Sequence, residues 1–474
     1  MVEQNKKCLK KINQCHSIID KVKLKKNKRK NMSKKFFIKT FGCQMNVYDS
    51  HRMAIMLENL GFEETSVQSE ADLVLFNTCH IREKAAEKVF SDLGRAYLIK
   101  QERASLNKDT IIGVTGCVVQ AEDEQIAKRA PYVDFALGPL TYHRLPEILA
   151  KISRQKGQTL IDTDFPAEAK FDFLPQNRAE GGCSFLAVQE GCNNFCTYCV
   201  VPYTRGAEYS RPVEEVLEEA RHLIKTGTLE INLLGQNVNS YHGEDKSGKE
   251  RNFAYLLNKI AELNGLKRLR YTTSYPADVD DDLIKCHHNL KQLMPYLHLP
   301  VQSGSNKILK AMNRRHTREQ YLEKVEKLMM ANPDLRMSSD FIVGFPGETD
   351  EDFEQTVSLV NQVQYIQAFS FKYSRRAGTP AAVMVNQVEE KVKKQRLDIL
   401  QNLLFDYQTK FNMSCVGKEF DVLFEQNGRH KGQLIGRTPY MQNLHAKADN
   451  SLLNKIVRVR VESATTNSLC GKVV

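Results

Sequence analysis

Residues 184–199 read SFLAVQEGCNNFCTYC: an apolar run of strand character, one glycine, then Cys192, Cys196 and Cys199 in CxxxCxxC spacing. Three thiolates within eight residues can hold three irons of a 4Fe-4S cluster and leave the fourth iron without a protein ligand. An open iron is useful where a small molecule has to bind. Zinc is the main alternative for a CxxC pair, but structural zinc takes four closed ligands, and no nearby Cys or His completes this set. A disulfide framework fails on the odd count.

Working outward, the same run opens a series of strands alternating with helical stretches. Strands are expected near 184–189, 229–234, 266–272, 296–301, 340–345 and 369–374. Amphipathic segments at 213–226, 318–331, 351–363 and about 387–411 lie between and after them. Six βα units in a row predict a partial TIM-like (βα)6 barrel over 183–411, with its site at the C-terminal ends of the strands. Upstream, FFIKTF (36–41), DLVLFN (72–77) and TIIGVT (110–115) alternate with helical stretches near 46–60, 82–101 and 119–129. That pattern predicts an α/β, flavodoxin-like parallel-sheet domain over 33–150.

Each of these three upstream runs ends in a cysteine, Cys43, Cys79 and Cys117, spaced 36 and 38 residues apart. In a doubly wound sheet the strands' C-terminal ends share one edge, so three cysteines in one register converge there. A second three-cysteine iron–sulfur cluster is the reading that follows. Cys8, Cys15, Cys183, Cys286, Cys415 and Cys470 show no such register and read as incidental or buried thiols.

Residues 151–182, punctuated by Gly157, Pro166, Pro175 and Gly181-Gly182, suit a linker. From 412 to 474 apolar and polar residues alternate at period two, which predicts a small antiparallel, OB-like β-barrel.

The chain has 474 residues, 68 Lys+Arg against 57 Asp+Glu, and a net charge of +11. At roughly 150 residues per domain this means about three domains. A 41% hydrophobic share excludes a disordered chain, and no apolar run reaches the ~18 residues of a membrane span. Nine of the eleven net charges fall in residues 1–31, so segment 1–32 reads as a basic extension outside the folded body. It has no apolar signal core. With cysteines spaced for metals, a cytoplasmic location is expected.

Two three-cysteine sites in this order, followed by a small β-barrel, resemble the radical S-adenosylmethionine (SAM) methylthiotransferases over essentially all of residues 33–474. The resemblance implies that SAM binds the open iron of the Cys192/Cys196/Cys199 cluster, serving as radical source and as methyl donor. It implies that the Cys43/Cys79/Cys117 cluster handles sulfur and that the last domain is a TRAM module gripping RNA. CVVPYTRG (199–206), EYSR (208–211) and LLGQNVNSY (233–241) look most like the branch acting on N(6)-isopentenyl-adenosine at tRNA position 37. Other branches act on threonylcarbamoyl-adenosine or a ribosomal-protein aspartate. Tyr275, where a His often stands, and SRRAGTPAA (374–382), where a Pro often separates Arg and Gly, depart from the pattern without touching a cysteine. A flavodoxin- or ferredoxin-type electron donor is also implied, and a monomer is taken as the default expectation.

Further candidates are less specific. Arg205 is placed to pair with a SAM carboxylate or an RNA phosphate, and Gln236 and Asn237 to hydrogen-bond SAM or adenine. Gly344 and Gly347 of GFPGET (344–349) allow close backbone approach to a ligand, or simply make a tight turn. The terminal barrel carries nine Lys/Arg and five Asp/Glu, a balance suited to RNA. A rival of another class is a zinc-dependent RNA-binding module with purely structural cysteines.

Overall fold

Period-two burial builds the first sheet. In the computed structural model, which describes residues 33–80, 83–154, 159–166 and 168–474, strand β3 (Leu73–Thr78) is buried along its whole length. Leu73 and Leu75 face the helices Gln44–Asn59 and Leu145–Ile152, while Val74 and Phe76 face Glu83–Ser105 and Cys117–Arg129. A strand covered on both faces needs apolar residues at every step, which is why DLVLFN reads as a continuous run.

Its neighbours are β1 (Lys35–Thr40), β2 (Glu63–Glu64), β4 (Ile111–Gly116), β5 (Phe135–Leu137) and β6 (Leu160–Asp162), all parallel in the order β2-β1-β3-β4-β5-β6. This is the doubly wound order expected. One difference concerns 151–182: the stretch expected to be a linker contributes β6. Three-residue edge strands carry almost no apolar signal, and β6 is held by backbone pairing of Phe135 with Leu160. The basic segment 1–32 lies outside the described residues.

Six further parallel strands, β7 (Cys183–Ala187), β10 (Glu230–Leu234), β11 (Arg268–Tyr271), β12 (Tyr296–His298), β13 (Arg336–Val343) and β14 (Gln367–Lys372), sit where the pattern placed them. They form two three-stranded sheets linked by a Leu269–Leu293 bridge, the wall of an open (βα)6 barrel. Ile231, Leu233 and Leu269 point outward into a large core shared with the surrounding helices. The alternate residues Glu230, Asn232, Arg268 and Arg270 are polar yet buried. An antiparallel pair missed by the pattern, β8 (Gln189–Glu190) with β9 (Tyr209–Ser210), brackets the cysteine loop. Two residues per strand are too few to show a period.

The 25-residue helix Glu390–Ser414 leads into a closed five-stranded barrel, β15 (Glu419–Asn427), β16 (Gln433–Arg437), β17 (Asn443–Lys447), β18 (Ile456–Ala464) and β19 (Leu469–Val473). Closure removes free sheet edges. Arg268 and Arg270 hold this barrel against the central one. Arg268 donates to the Arg437 carbonyl at 3.1 Å, and Arg270 to the Pro439 and Thr438 carbonyls at 2.8 and 3.0 Å. Glu230, 1% exposed, pairs with both, offsetting one of their two charges.

Candidate functional site

The first three cysteines reach one place by the same device. Cys43 precedes the helix Gln44–Asn59, Cys79 follows β3, and Cys117 opens the helix Cys117–Arg129. Gly42 (φ 100°) and Gly116 (φ 96°) stand before two of them in the left-handed region, where a side chain is strained. A Cβ on Gly42 would also collide with Cys79. All three cysteines line one cavity of about 480 Å³. A hydrogen bond with Cys79 holds the Cys43 thiol down at about 6 against its burial, while burial raises Cys117.

Cys192, Cys196 and Cys199 lie on the loop between β8 and the short helix Val201–Arg205. Asn194 Nδ2 donates to Cys192 Sγ at 3.5 Å and Arg314 Nη1 to Cys196 Sγ at 3.7 Å. Burial, then the charge of Cys196, pushes Cys199 up to about 12, and burial also raises Cys192. Cys192 and Cys199, raised by burial and by the charge of Cys196, are donors that a cationic centre would relieve, and in the other triad the buried Cys117 is likewise raised beside a lowered Cys43, so both donor sets fit iron–sulfur groups. Among the described residues, no three His, Cys, Asp or Glu side chains are placed to hold a metal ion.

The remaining candidates separate. Arg205 is 3% exposed and bonds Glu190 at 2.7 Å, Asp49 at 2.9 Å and Asn46 at 3.1 Å. Lys170 joins the same two acids at 2.7 and 3.1 Å, so two cations and two anions are sealed between the first domain and the barrel. Arg205 therefore faces the Cys43/Cys79/Cys117 cavity as a committed ion-pair partner, not as a free clamp for a carboxylate or phosphate. Gln236 also lines the cavity, with its Oε1 accepting the Gly191 N–H at 2.6 Å. Asn237 donates its Nδ2 to Asp278 at 2.7 Å, while its buried Oδ1 has no hydrogen-bond partner among the described residues.

Gly344 and Gly347 both have positive φ. A Cβ on Gly344 would strike the Lys393 side chain, and its N–H bonds Glu348, which pairs with Arg396 at 2.7 Å. Gly347 N–H bonds the Asn386 carbonyl at 2.9 Å. The glycines thus build a turn locked to the helix Glu390–Ser414, and neither lines the cavity. Phe345 of the turn shares an apolar cluster with Tyr198 of the cysteine loop, Ile308 and Met312.

Pattern reading passed over Asn313, Arg314 and Arg315. They follow the helix Asn306–Ala311 and close over the cysteine loop from about 118 residues away in sequence. The available signal was the NRRH run (313–316), which carries more charge than a surface turn needs.

Three family models match in chain order: the uncharacterized protein family UPF0004 over residues 35–138, the radical SAM superfamily over 186–360, and the TRAM domain over 413–474. Fold and site together define a radical SAM enzyme flanked by these two modules. The tRNA-2-methylthio-N(6)-dimethylallyladenosine synthase of Bartonella tribocorum is 54% identical over 444 residues, 93% of this chain and 96% of the relative. That of Agrobacterium fabrum is 55% identical over 446 residues, 93% and 98%. The chain belongs to the tRNA-2-methylthio-N(6)-dimethylallyladenosine synthase family. Among solved structures, the radical SAM methyltransferase TsrM from Kitasatospora setae shares the fold alone, with a TM-score of 0.54, 15% identity, and coverage of 74% of this chain and 77% of that one.

Proposed function

We propose that this chain is a tRNA methylthiotransferase that converts N(6)-dimethylallyladenosine at position 37 to its 2-methylthio derivative. The observation that carries the reading is the cavity shared by all three folded parts. Cys43, Cys79 and Cys117 come from the first domain, Val200 and Leu234 from the central barrel, and Arg437 and Met441 from the terminal one. Carbon 2 of the adenine bears no acidic proton, so general-base or thiolate chemistry has no purchase there. Iron–sulfur groups at Cys192/Cys196/Cys199 and at Cys43/Cys79/Cys117 would supply, respectively, one-electron cleavage of SAM and the sulfur that is transferred, with SAM also the methyl donor.

The protein's own residues do the rest. Val200 and Val201 extend from the first cysteine loop to the wall of the cavity that holds the second triad. They bring the neighbourhood of that loop to the cavity, although Cys192, Cys196 and Cys199 are not themselves among its lining residues. Met45, Leu234 and Met441 give that space an apolar lining suited to the dimethylallyl group. Arg270 is committed to Glu230 and to carbonyls, and Arg437 lies 3.5 Å from Glu425. Neither is left unopposed for the carboxylate of threonylcarbamoyl-adenosine.

The tRNA would present its anticodon stem-loop with the base splayed out, gripped by the terminal barrel. A flavodoxin- or ferredoxin-type donor, a monomeric state and a cytoplasmic location complete the reading. Among the described residues, no helix is long and apolar enough to cross a membrane. Anaerobic turnover of isopentenylated tRNA with SAM, followed by mass analysis of nucleosides, is expected to yield the 2-methylthio derivative. Product only from threonylcarbamoylated tRNA would overturn the substrate.

A further inference from the structure

The segment 311–315 clamps the loop of Cys192, Cys196 and Cys199 from across the barrel. Thr197 donates its N–H to the Met312 carbonyl at 3.1 Å and its hydroxyl to Ala311 at 2.9 Å. Asn313, held at φ 59°, donates to the carbonyls of Asn194 and Phe195 at 3.2 and 3.0 Å. Arg315 reaches Asn194 Oδ1 at 2.6 Å and is balanced by Asp278 at 3.3 Å. These contacts account for the loop's shape.

Arg314 is different in kind. Its Nη1 points at Cys196 Sγ, 3.7 Å away, its Nη2 donates to the Pro300 carbonyl at 2.5 Å, and its guanidinium lies 4.1 Å over the Tyr275 ring. Neither hydrogen bond is to a carboxylate. A fixed positive charge thus rests on a cysteine sulfur, oriented by a carbonyl and an aromatic face. Hydrogen bonds to ligand sulfurs and local charge are among the levers that set an iron–sulfur reduction potential. Each raises the potential, because each stabilises the state that carries the extra electron.

We propose that Arg314 tunes the reduction potential of the group held by Cys192, Cys196 and Cys199, through its N–H···S contact and its charge. The inference rests on those cysteines holding an iron–sulfur cluster. The step is a single electron from an external low-potential reductant; no bond breaks and no proton moves, so the site gains one negative charge. Arg314 favours that gain. A guanidinium suits the task because it stays charged and its planar fork can serve sulfur and carbonyl at once.

The test uses full-length protein, reconstituted anaerobically with iron and sulfide and titrated by electron paramagnetic resonance against solution potential. Wild type, Arg314→Gln and Arg314→Lys are compared. Each is also made with Cys43→Ala, Cys79→Ala and Cys117→Ala, so that one cluster titrates alone. The Gln variant is expected to keep its iron while its reduced-to-oxidised ratio at the wild-type midpoint falls about tenfold, or about 59 mV for a one-electron couple. The Lys variant, keeping charge but losing the fork, is expected to fall between. An unchanged midpoint with iron retained overturns the proposal and leaves Arg314 a structural clamp. If the Gln variant loses its iron, the Lys variant decides: a midpoint below wild type supports the proposal, and one equal to it overturns it. Failure of the wild-type chain to take up iron at these cysteines would instead overturn the cluster reading itself.

Discussion

The two cysteine triads reach similar ends by opposite routes. Cys192, Cys196 and Cys199 are set by one eight-residue loop, so their spacing is written in the chain. Cys43, Cys79 and Cys117 are strangers in sequence and meet only because three parallel strands end at one sheet edge. The first site is portable; the second exists only if the first domain folds. Their supports differ in the same way. The loop is bracketed by β8 and β9 and clamped by residues 311–315, whereas the assembled triad leans on the sealed quartet of Asp49, Lys170, Glu190 and Arg205.

The sharpest way to break the comparison is to delete each triad. Replacing Cys192, Cys196 and Cys199 by Ala is expected to abolish both SAM cleavage and methylthio product, with roughly four irons lost per chain. Iron assay and product mass check this. Replacing Cys43, Cys79 and Cys117 by Ala is expected to abolish methylthio product while SAM cleavage to 5′-deoxyadenosine persists. If cleavage stopped as well, the two sites would not be separable functions.

The supports come next. Arg205→Met leaves Asp49 and Glu190 sharing only Lys170, and stranding a buried charge costs about 3–5 kcal/mol. Denaturant unfolding of the first domain, followed by fluorescence or circular dichroism, measures it. An equal loss in the Arg315→Ala variant would show that the local loop depends on its clamp as heavily as the assembled site depends on its quartet. Arg315 is largely exposed, so that loss is expected to stay within about 1 kcal/mol.

The smallest effect tests a helix cap reinforced by two residues distant in sequence. Thr349 caps the helix Asp350–Val363 in a reciprocal box with Asp352. Burial would raise the Asp352 pKa, but bonds from Lys307, Ser305 and Thr349 hold it at about 2. A carboxyl depressed in the fold stabilises above its unfolded value, near ~3.9, and loses that stability as pH falls through the folded value. Asp352→Asn is therefore expected to flatten the acid dependence of stability between about pH 4 and about pH 2. Thermal melts across that range check the slope.

Legibility followed the length and burial of each element. DLVLFN and EINLL were readable because strands covered by helices need apolar side chains at close intervals. β6, β8 and β9, of two or three residues each, were not, since pairing and not composition holds them, and β5, though fully buried, is too short to show a period. Among candidate residues, the six cysteines announced themselves by spacing and register. The sequence offers Arg205 as a ligand for a carboxylate or phosphate, because it does not show that Asp49 and Glu190 close on the guanidinium from two other elements. Gly344 and Gly347 stand out in the sequence for their freedom, yet the Lys393 stem fills the space at Gly344, and Gly347, open on its Cβ side, is tied by its N–H to the Asn386 carbonyl.

By itself, then, the chain determined the alternation of strands and helices, the three-part order and both cysteine sets. These follow from local periodicity and from short covalent spacing, which need no partner. Only the tertiary structure decided which charges are sealed, which residues wall the shared cavity, and that Arg314 rests on Cys196. Those depend on contacts between segments more than a hundred residues apart, and their desolvation and geometry exist only once the domains have closed on one another.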